Sequence, residues 1–221
     1  MFRPDRQVVT GVCWVGIPAA IQNLLNVTGM TVLNNFTASY GSDAVAAMGI
    51  VQKVNMVPMQ IAFGLSQGIM PLISYNFASG NVKRMKKTLL FTVKIAVSFL
   101  TVVAVGYYVG AGSITALFMR NEAIISYGER FLRAFCLELP FMCMDFIAVG
   151  VFQSCGMGEK SLVFALLRKI VLEIPALYLL NRLFPLYGLP FAQPVTECIL
   201  CVAAVLVLFR MFKKMEQKRS S

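Results

Sequence analysis

Asp145 stands in the stretch FMCMDFIAVGVF, residues 141–152, where the other eleven positions are apolar or glycine. The least interrupted apolar run around it extends from Ala134 to Phe152 and centres on Cys143, which puts Asp145 near the middle of an expected membrane span. Glu138 precedes it by seven residues, about 10 Å along a helix on nearly the same face, subject to a kink at Pro140. A charge at mid-bilayer costs roughly 2.5–3.5 kcal/mol on insertion scales. A chain tolerates that where the group pairs with a cation, takes up a proton or binds an ion. Two readings stay open for both carboxylates. One is a structural ion pair with Arg168, Lys169 or Lys53. The other is a working group that loads and releases a proton, or holds a small cation or a cationic substrate.

Neutral polar residues add to the pattern. Gln22, Asn23, Asn26 and Asn34 fall within an arc of about 120° on one helix. One or two such amides serve interhelical hydrogen bonding, but four on one face favour a wet cavity. Lys53, Gln60, Gln67 and Ser74 recur every seven residues, close to two turns, and form a stripe with Gln52 beside it. Such a stripe lines a helix seam or an aqueous path rather than lipid. Lys53 lies near the start of its helix and can also snorkel to the surface. The candidate cation- or substrate-binding set is therefore Asp145, Glu138, Asn26, Gln22, Gln60, Gln67 and Lys53. Arg168 and Lys169 lie about two turns from the inner end and can snorkel to it, Glu173 can pair with Lys169 four residues before it, and Glu197 has no partner in its own helix.

Other chemistry lacks its residues. The chain has no histidine, so no His-based triad, relay or zinc site. It has no Gly-rich phosphate loop of the Walker type. Its six cysteines lie in or beside apolar runs, and Cys198-x-x-Cys201 has no second pair, so packing explains them better than redox or metal chemistry. These absences predict no enzyme, no metal and no cofactor beyond a coupling H+ or Na+.

The elements that position these residues are membrane helices. Residues of the AVILMFWYC class make up 58% of the 221 and charged residues 14%, against roughly 45–50% and 25% in average globular chains. The expected fold is all-α: a polytopic membrane protein with a six-transmembrane-helix bundle. Its spans run over about residues 8–36, 44–77, 88–111, 122–155, 161–184 and 188–209, with prolines Pro58, Pro71 and Pro140 inside the longer ones. Residues 1–7 form a cytoplasmic N-terminal segment, 8–212 the lobe, and 213–221 a basic cytoplasmic tail expected to fray. The first apolar stretch is too long and polar-studded for a signal-peptide core. Gly64-x-x-x-Gly68 and Gly106-x-x-x-Gly110 read as helix-packing motifs. The net charge of +10 sits at the ends of apolar runs, which marks topology rather than nucleic-acid binding. With the N-terminus inside, fifteen of the twenty Lys and Arg lie on the inner side and only Arg120, Arg130, Arg133 and Arg182 at the outer ends. Both termini are thus expected in the cytoplasm of a multi-pass plasma-membrane protein.

Several stretches resemble a known family. GIPAAIQNLLN in the first span is similar to the start of the second half of multidrug and toxic compound extrusion (MATE) transporters. GLSQGIMPLISYNFASGNVKRMKK resembles the next helix and the basic loop after it. FMCMDFIAVGVFQSCGMGEKS resembles the helix that carries an intramembrane aspartate in many members, with Asp145 at that place. IPALYLL and YGLPFAQPVTE resemble the last two helices. The likeness covers nearly the whole chain. It implies twelve helices in two six-helix lobes, with an ion gradient driving drug efflux, and this chain corresponds to the C-terminal lobe. Some sodium-coupled members carry a glutamate where Asn26 stands. Others couple through a carboxylate of the N-terminal lobe. The implied function is half of a cation-coupled antiporter for amphipathic organic cations. Its implied partners are a small cationic substrate, membrane lipid, and an N-terminal six-helix lobe or a second copy. Two alternatives are a lipid-linked-precursor flippase of the same superfamily, which needs a more basic cavity, and a non-transporting membrane scaffold subunit.

Overall fold

The computed structural model describes residues 6–220, so residues 1–5 of the expected N-terminal segment and Ser221 of the expected tail lie outside the described residues. Among the described residues the chain folds as six helical rods and no strands. They are α1 (Arg6–Ala38), α2 (Ser42–Ala78), α3 (Val82–Phe118), α4 (Glu122–Ser154), α5 (158–183) and α6, a 3-10 turn over Leu189–Phe191 continued by α-helix over Ala192–Ser220. Four of them, α2, α3, α4 and α6, are long and apolar enough to cross a membrane. The polar residues inside α1 and α5 lower the hydropathy of those two.

Contacts between helix ends show that the rods alternate in direction. The Tyr40 hydroxyl donates to Asn181 Oδ1 at 2.6 Å, bringing the ends of α1 and α5 together. At the opposite end, Ser74 donates to the Ser154 carbonyl at 3.0 Å, Gln153 meets Ser161 at 3.0 Å, and Lys86 pairs with Glu216 at 2.6 Å. That second end gathers Lys83, Arg84, Lys86, Lys87, Lys160, Arg210, Lys213 and Lys214. There α2 and α4 stop in the same way. Gly80 and Gly156 take φ of +69° and +70°, and the following amides, Asn81 and Met157, reach back 2.8 Å to the carbonyls of Asn76 and Phe152. Only glycine enters that left-handed turn without strain, so it ends the helix and satisfies its last carbonyls.

Helices α2 and α4 pack closely. A Cβ on Gly150 would collide with Ser66 Oγ, and that hydroxyl donates to the Phe146 carbonyl at 2.6 Å. Two apolar clusters fill the lobe. One contains Ile73, Met85, Phe152 and Leu208, and the other Leu33, Met48, Phe131 and Leu189.

The structure departs from the sequence expectations in four places. The helices overrun the expected spans: α3 starts at Val82, before its apolar run begins, because basic residues favour helix once a first turn is capped by the Asn81 side chain. The expected fraying tail is helical to Ser220. Arg168 and Lys169 do not snorkel but turn inward and are buried. Among the described residues the two glycine motifs pack nothing inside the lobe. Gly64, Gly68 and Gly106 have no atom within 4 Å of an added Cβ, and Gly110 meets only Ile114 of its own helix. The close contacts fall instead at Gly29, Gly128 and Gly150, where another side chain occupies the space of a Cβ.

Candidate functional site

Two prolines disturb their helices, and each disturbance carries buried charge. Pro140 lacks an amide hydrogen and its ring crowds the carbonyl four residues back. The turn before it, Cys136–Glu138, tightens to 3-10 geometry. Pro175 stands in the same relation to α5, whose residues Leu167–Glu173 open into a π-helical stretch. The wider turn aims Arg168, Lys169 and Glu173 into the lobe. These residues, with Asn55 of α2 and Glu197 of α6, fall where one apolar cluster gives way to the other along each helix.

The resulting belt holds Glu138, Asp145, Arg168, Lys169, Glu173 and Glu197. All are buried, and Arg168, the most accessible, is 7% exposed. Arg168 Nη1 lies 3.2 Å from Asp145 Oδ2 and its Nη2 lies 2.5 Å from Glu197 Oε1, so one guanidinium ties α4 and α6 to α5. Lys169 pairs with Glu173 at 2.5 Å. Gly29 lets α1 seat against that pair, since a Cβ there would come within 2.9 Å of Glu173 Oε1. Among the described residues Glu138 forms no ion pair, and it accepts a short hydrogen bond from Asn55 Nδ2. Four carboxylates thus face two cations. Asn55 Oδ1, Asp145 Oδ1, Glu173 Oε1, Glu197 Oε2 and Arg168 Nε are buried without a hydrogen-bond partner among the described residues.

Beside this belt, and separate from it, runs a groove of about 320 Å³ between α1, α2 and α4. Gln22, Asn23 and Asn26 line it from α1, Gln60 and Gln67 from α2, and Gln153 from α4, with Met30, Met56, Phe63 and Phe146 as its apolar surface. Phe63 and Phe146 meet edge to face at 6.0 Å. Phe146 lines the groove, and Arg168 lies 5.2 Å from its ring centre. One aromatic ring therefore stands between groove and belt.

Of the candidate residues, Gln22, Asn26, Gln60 and Gln67 come together in the groove. Asp145 and Glu138 do not line it and belong to the belt, so the single cavity expected from the sequence is two sites. Asp145 is about a quarter turn from the α4 face that carries Phe146, Val149, Gly150 and Gln153. Lys53 shares the face of Gln60 but sits about 10 Å up the helix, exposed, beyond the groove. Asn34 accepts from Gln52 at 3.1 Å, a plain interhelical bond. Sequence reasoning passes over Asn55, Phe146 and the role of Glu197. A buried amide in a span is a readable sign for Asn55. The meeting of Glu197 with Arg168 is not readable, because it depends on how α5 and α6 pack.

The MatE family model matches residues 18–179. The multidrug export protein MepA of Staphylococcus saprophyticus is 31% identical over 208 residues, covering 94% of this chain and 46% of its own length. MepA of Staphylococcus haemolyticus is 32% identical over 221 residues, covering 99% and 48%. The chain thus spans about half the length of the curated relatives it matches. Among solved structures, a MATE protein in complex with MaL6 superposes with a TM-score of 0.91 at 19% identity, over 98% of this chain and 49% of that one. The Vibrio cholerae MATE transporter VcmN in its bent form gives 0.89 at 18% identity, over 97% and 49%.

Proposed function

The chain belongs to the MatE family, and from that premise we propose that it is the C-terminal half of a cation-coupled antiporter that exports amphipathic organic cations. Its relatives are multidrug transporters and multi-pass membrane proteins, not enzymes. The observation that carries the reading is the groove. Its amide oxygens suit a cation, its methionines adapt to varied shapes, and the faces of Phe63 and Phe146 attract positive charge. No Lys or Arg is among the described residues that line it, which speaks against the anionic headgroup of a lipid-linked precursor. In this reading Gln22, Asn26, Gln60 and Gln67 are the substrate wall, and a second lobe supplies the opposite wall. The belt with Asp145 and Glu138 is the coupling element for H+ or Na+, supported by its surplus of buried carboxylates. The basic end of the bundle faces the cytoplasm of the plasma membrane, with both termini there. Lys53, exposed above the groove, contacts lipid headgroups rather than substrate.

The test is export from an efflux-deficient host. Expressed alone, the chain leaves sensitivity to a lipophilic quaternary-ammonium dye unchanged, because one repeat cannot move against another. Joined to the N-terminal half of a staphylococcal relative it restores efflux, and Gln60→Leu with Gln67→Leu reduces it. Export by the chain alone as a monomer refutes the half-transporter reading. Undiminished efflux in the double variant removes the groove from the substrate path. A membrane scaffold would show assembly with its partner and no flux in either form.

A further inference from the structure

We propose that Glu138 and Asn55 form a proton-exchange site inside the lobe, in which the Asn55 amide serves both protonation states of the Glu138 carboxyl. The inference deepens, and for its role in transport rests on, the reading of the buried belt as the coupling element.

Glu138 is the one carboxylate of the belt without a cation among the described residues. Both buried cations are engaged elsewhere, Arg168 by Asp145 and Glu197 and Lys169 by Glu173. Its partner is the neutral Asn55, from a different helix, and both are buried. Asn55 Nδ2 donates to Glu138 Oε1, while Asn55 Oδ1, on the same amide, is buried with no partner. Amide oxygen and nitrogen exchange places by a half-turn of the terminal torsion. In one orientation the amide donates to a carboxylate. In the other its oxygen accepts the hydrogen of a carboxylic acid. The pair can therefore hold Glu138 charged or neutral, and its orphaned oxygen is the acceptor that the neutral form requires.

The surroundings supply a reason for the proton. Glu138 faces Asn55 from α2, Arg168, Lys169 and Glu173 from α5, and Glu197 from α6, with Asp145 on its own helix. The Tyr107 hydroxyl of α3 donates to the Val54 carbonyl at 3.2 Å, next to Asn55, so it is already committed. With all groups charged the belt carries two more negative charges than positive, buried between the two apolar clusters. Among the described residues no three acidic side chains converge as metal ligands would. A proton needs no such set. It adds to one carboxyl oxygen from water and returns to water, with no other bond made or broken. Glu138 ends the 3-10 turn that precedes Pro140, and there its carboxyl meets Asn55 of α2.

The purified full chain in lipid nanodiscs tests this by infrared difference spectroscopy during a pH titration. The wild type shows a carboxylic-acid carbonyl band that appears on acidification and disappears on alkalinisation. Glu138→Gln loses that band, whereas Asp145→Asn keeps it. Asn55→Leu, which retains the carboxyl but removes the two-way amide, shifts the band's titration midpoint. A wild type with no such band, or a band that persists in Glu138→Gln, overturns the proposal. Where Glu138→Gln fails to fold, Asn55→Leu decides: an unmoved midpoint overturns it. The band is read without transport, so it judges the site while the dye-efflux assay judges the antiporter reading separately.

Discussion

Arg168 holds two carboxylates at once, and that makes a double-mutant cycle informative. The Asp145 contact at 3.2 Å is the longer, and the Glu197 contact at 2.5 Å the shorter. A hydrogen bond to a charged group contributes roughly 1.5–3 kcal/mol. Asp145→Asn keeps an oxygen in place to accept from Nη1, leaves Arg168 its better partner, and removes one surplus negative charge from the belt. Its expected cost is about 1 kcal/mol or less. Glu197→Gln loses the shorter contact and is expected to cost about 1–2 kcal/mol. The double variant leaves the guanidinium buried with neutral amides only, and stranding a buried charge costs roughly 3–5 kcal/mol. At the middle of these ranges the cycle is non-additive by about 1–2 kcal/mol, as expected for groups that share one partner. The assay is thermal unfolding of the four purified proteins in one detergent, with membrane yield recorded beside it. Additive losses, or an Asp145→Asn variant as unstable as the double, would refute the shared-cation account. The same single variant, placed in the complete two-lobe protein, also addresses coupling. If Asp145 contributes, the variant folds well and its efflux loses pH dependence. If efflux and its pH response are normal, Asp145 is structural.

Three further outcomes are expected. With the exposed Cys13 and Cys198 replaced first, single cysteines at Ser42 and Arg182 should react with an impermeant thiol reagent added outside cells and one at Ser79 should not. Labelling of position 79 from outside would invert the topology. Gly150→Ala should lower stability by about 2 kcal/mol, because the new methyl displaces Ser66 and its buried hydrogen bond, whereas Gly64→Ala and Gly68→Ala, which meet nothing among the described residues, should leave it unchanged or raise it by up to about 1 kcal/mol through helix propensity. Equal losses at all three positions in thermal unfolding would contradict the packing described. Phe146→Leu should weaken binding of a fluorescent quaternary-ammonium dye several-fold more than Val149→Ala, since it removes the ring face from the groove wall. Fluorescence titration of the purified lobe reads the ratio.

Periodicity makes the helices and the groove legible in the amino-acid sequence itself. Gln60 and Gln67 stand two turns apart, and Gln22 and Asn26 one turn apart, so each pair must share a face. Spacing along one helix says nothing of which helix lies opposite. That is why the polar pattern groups Asp145 with the amides, although it lies about a quarter turn from the groove face of its own helix. The fate of Arg168 is hidden for a related reason. An ordinary α-helix would let it run along the helix toward the surface, and the π-helical stretch before Pro175 turns it inward. The proline is visible in the sequence, but its effect on the residues one and two turns earlier depends on the packing that rewards the wider turn. The glycine motifs mislead because small residues permit close approach without naming a partner. Among the described residues that partner is absent at Gly64 and Gly68, while lone glycines at positions 29, 128 and 150 make the contacts.

A buried ionic belt is a costly way to hold three helices together, since well-packed apolar side chains of similar volume often do so equally well or better. Under the coupling role proposed above, its placement has a use. Both irregular turns lie in the belt, and both are positions where the regular hydrogen-bond ladder is already broken by a proline. Helices give there first, because less backbone bonding is lost by bending. Arg168 is fixed to α4 and α6 by its two carboxylates and belongs to the irregular turn of α5, so a bend in α5 must strain or break one of those contacts. The ring of Phe146 covers the same guanidinium and forms part of the groove wall. An occupant of the groove that displaces this ring therefore acts directly on the residue that ties the three helices, and a change of charge among the carboxylates acts on it from the other side. Two events at separate sites would then bias one mechanical element, which is the physical requirement for coupling them. An apolar core could bind the helices as firmly, but it would offer no group whose partners change with a proton.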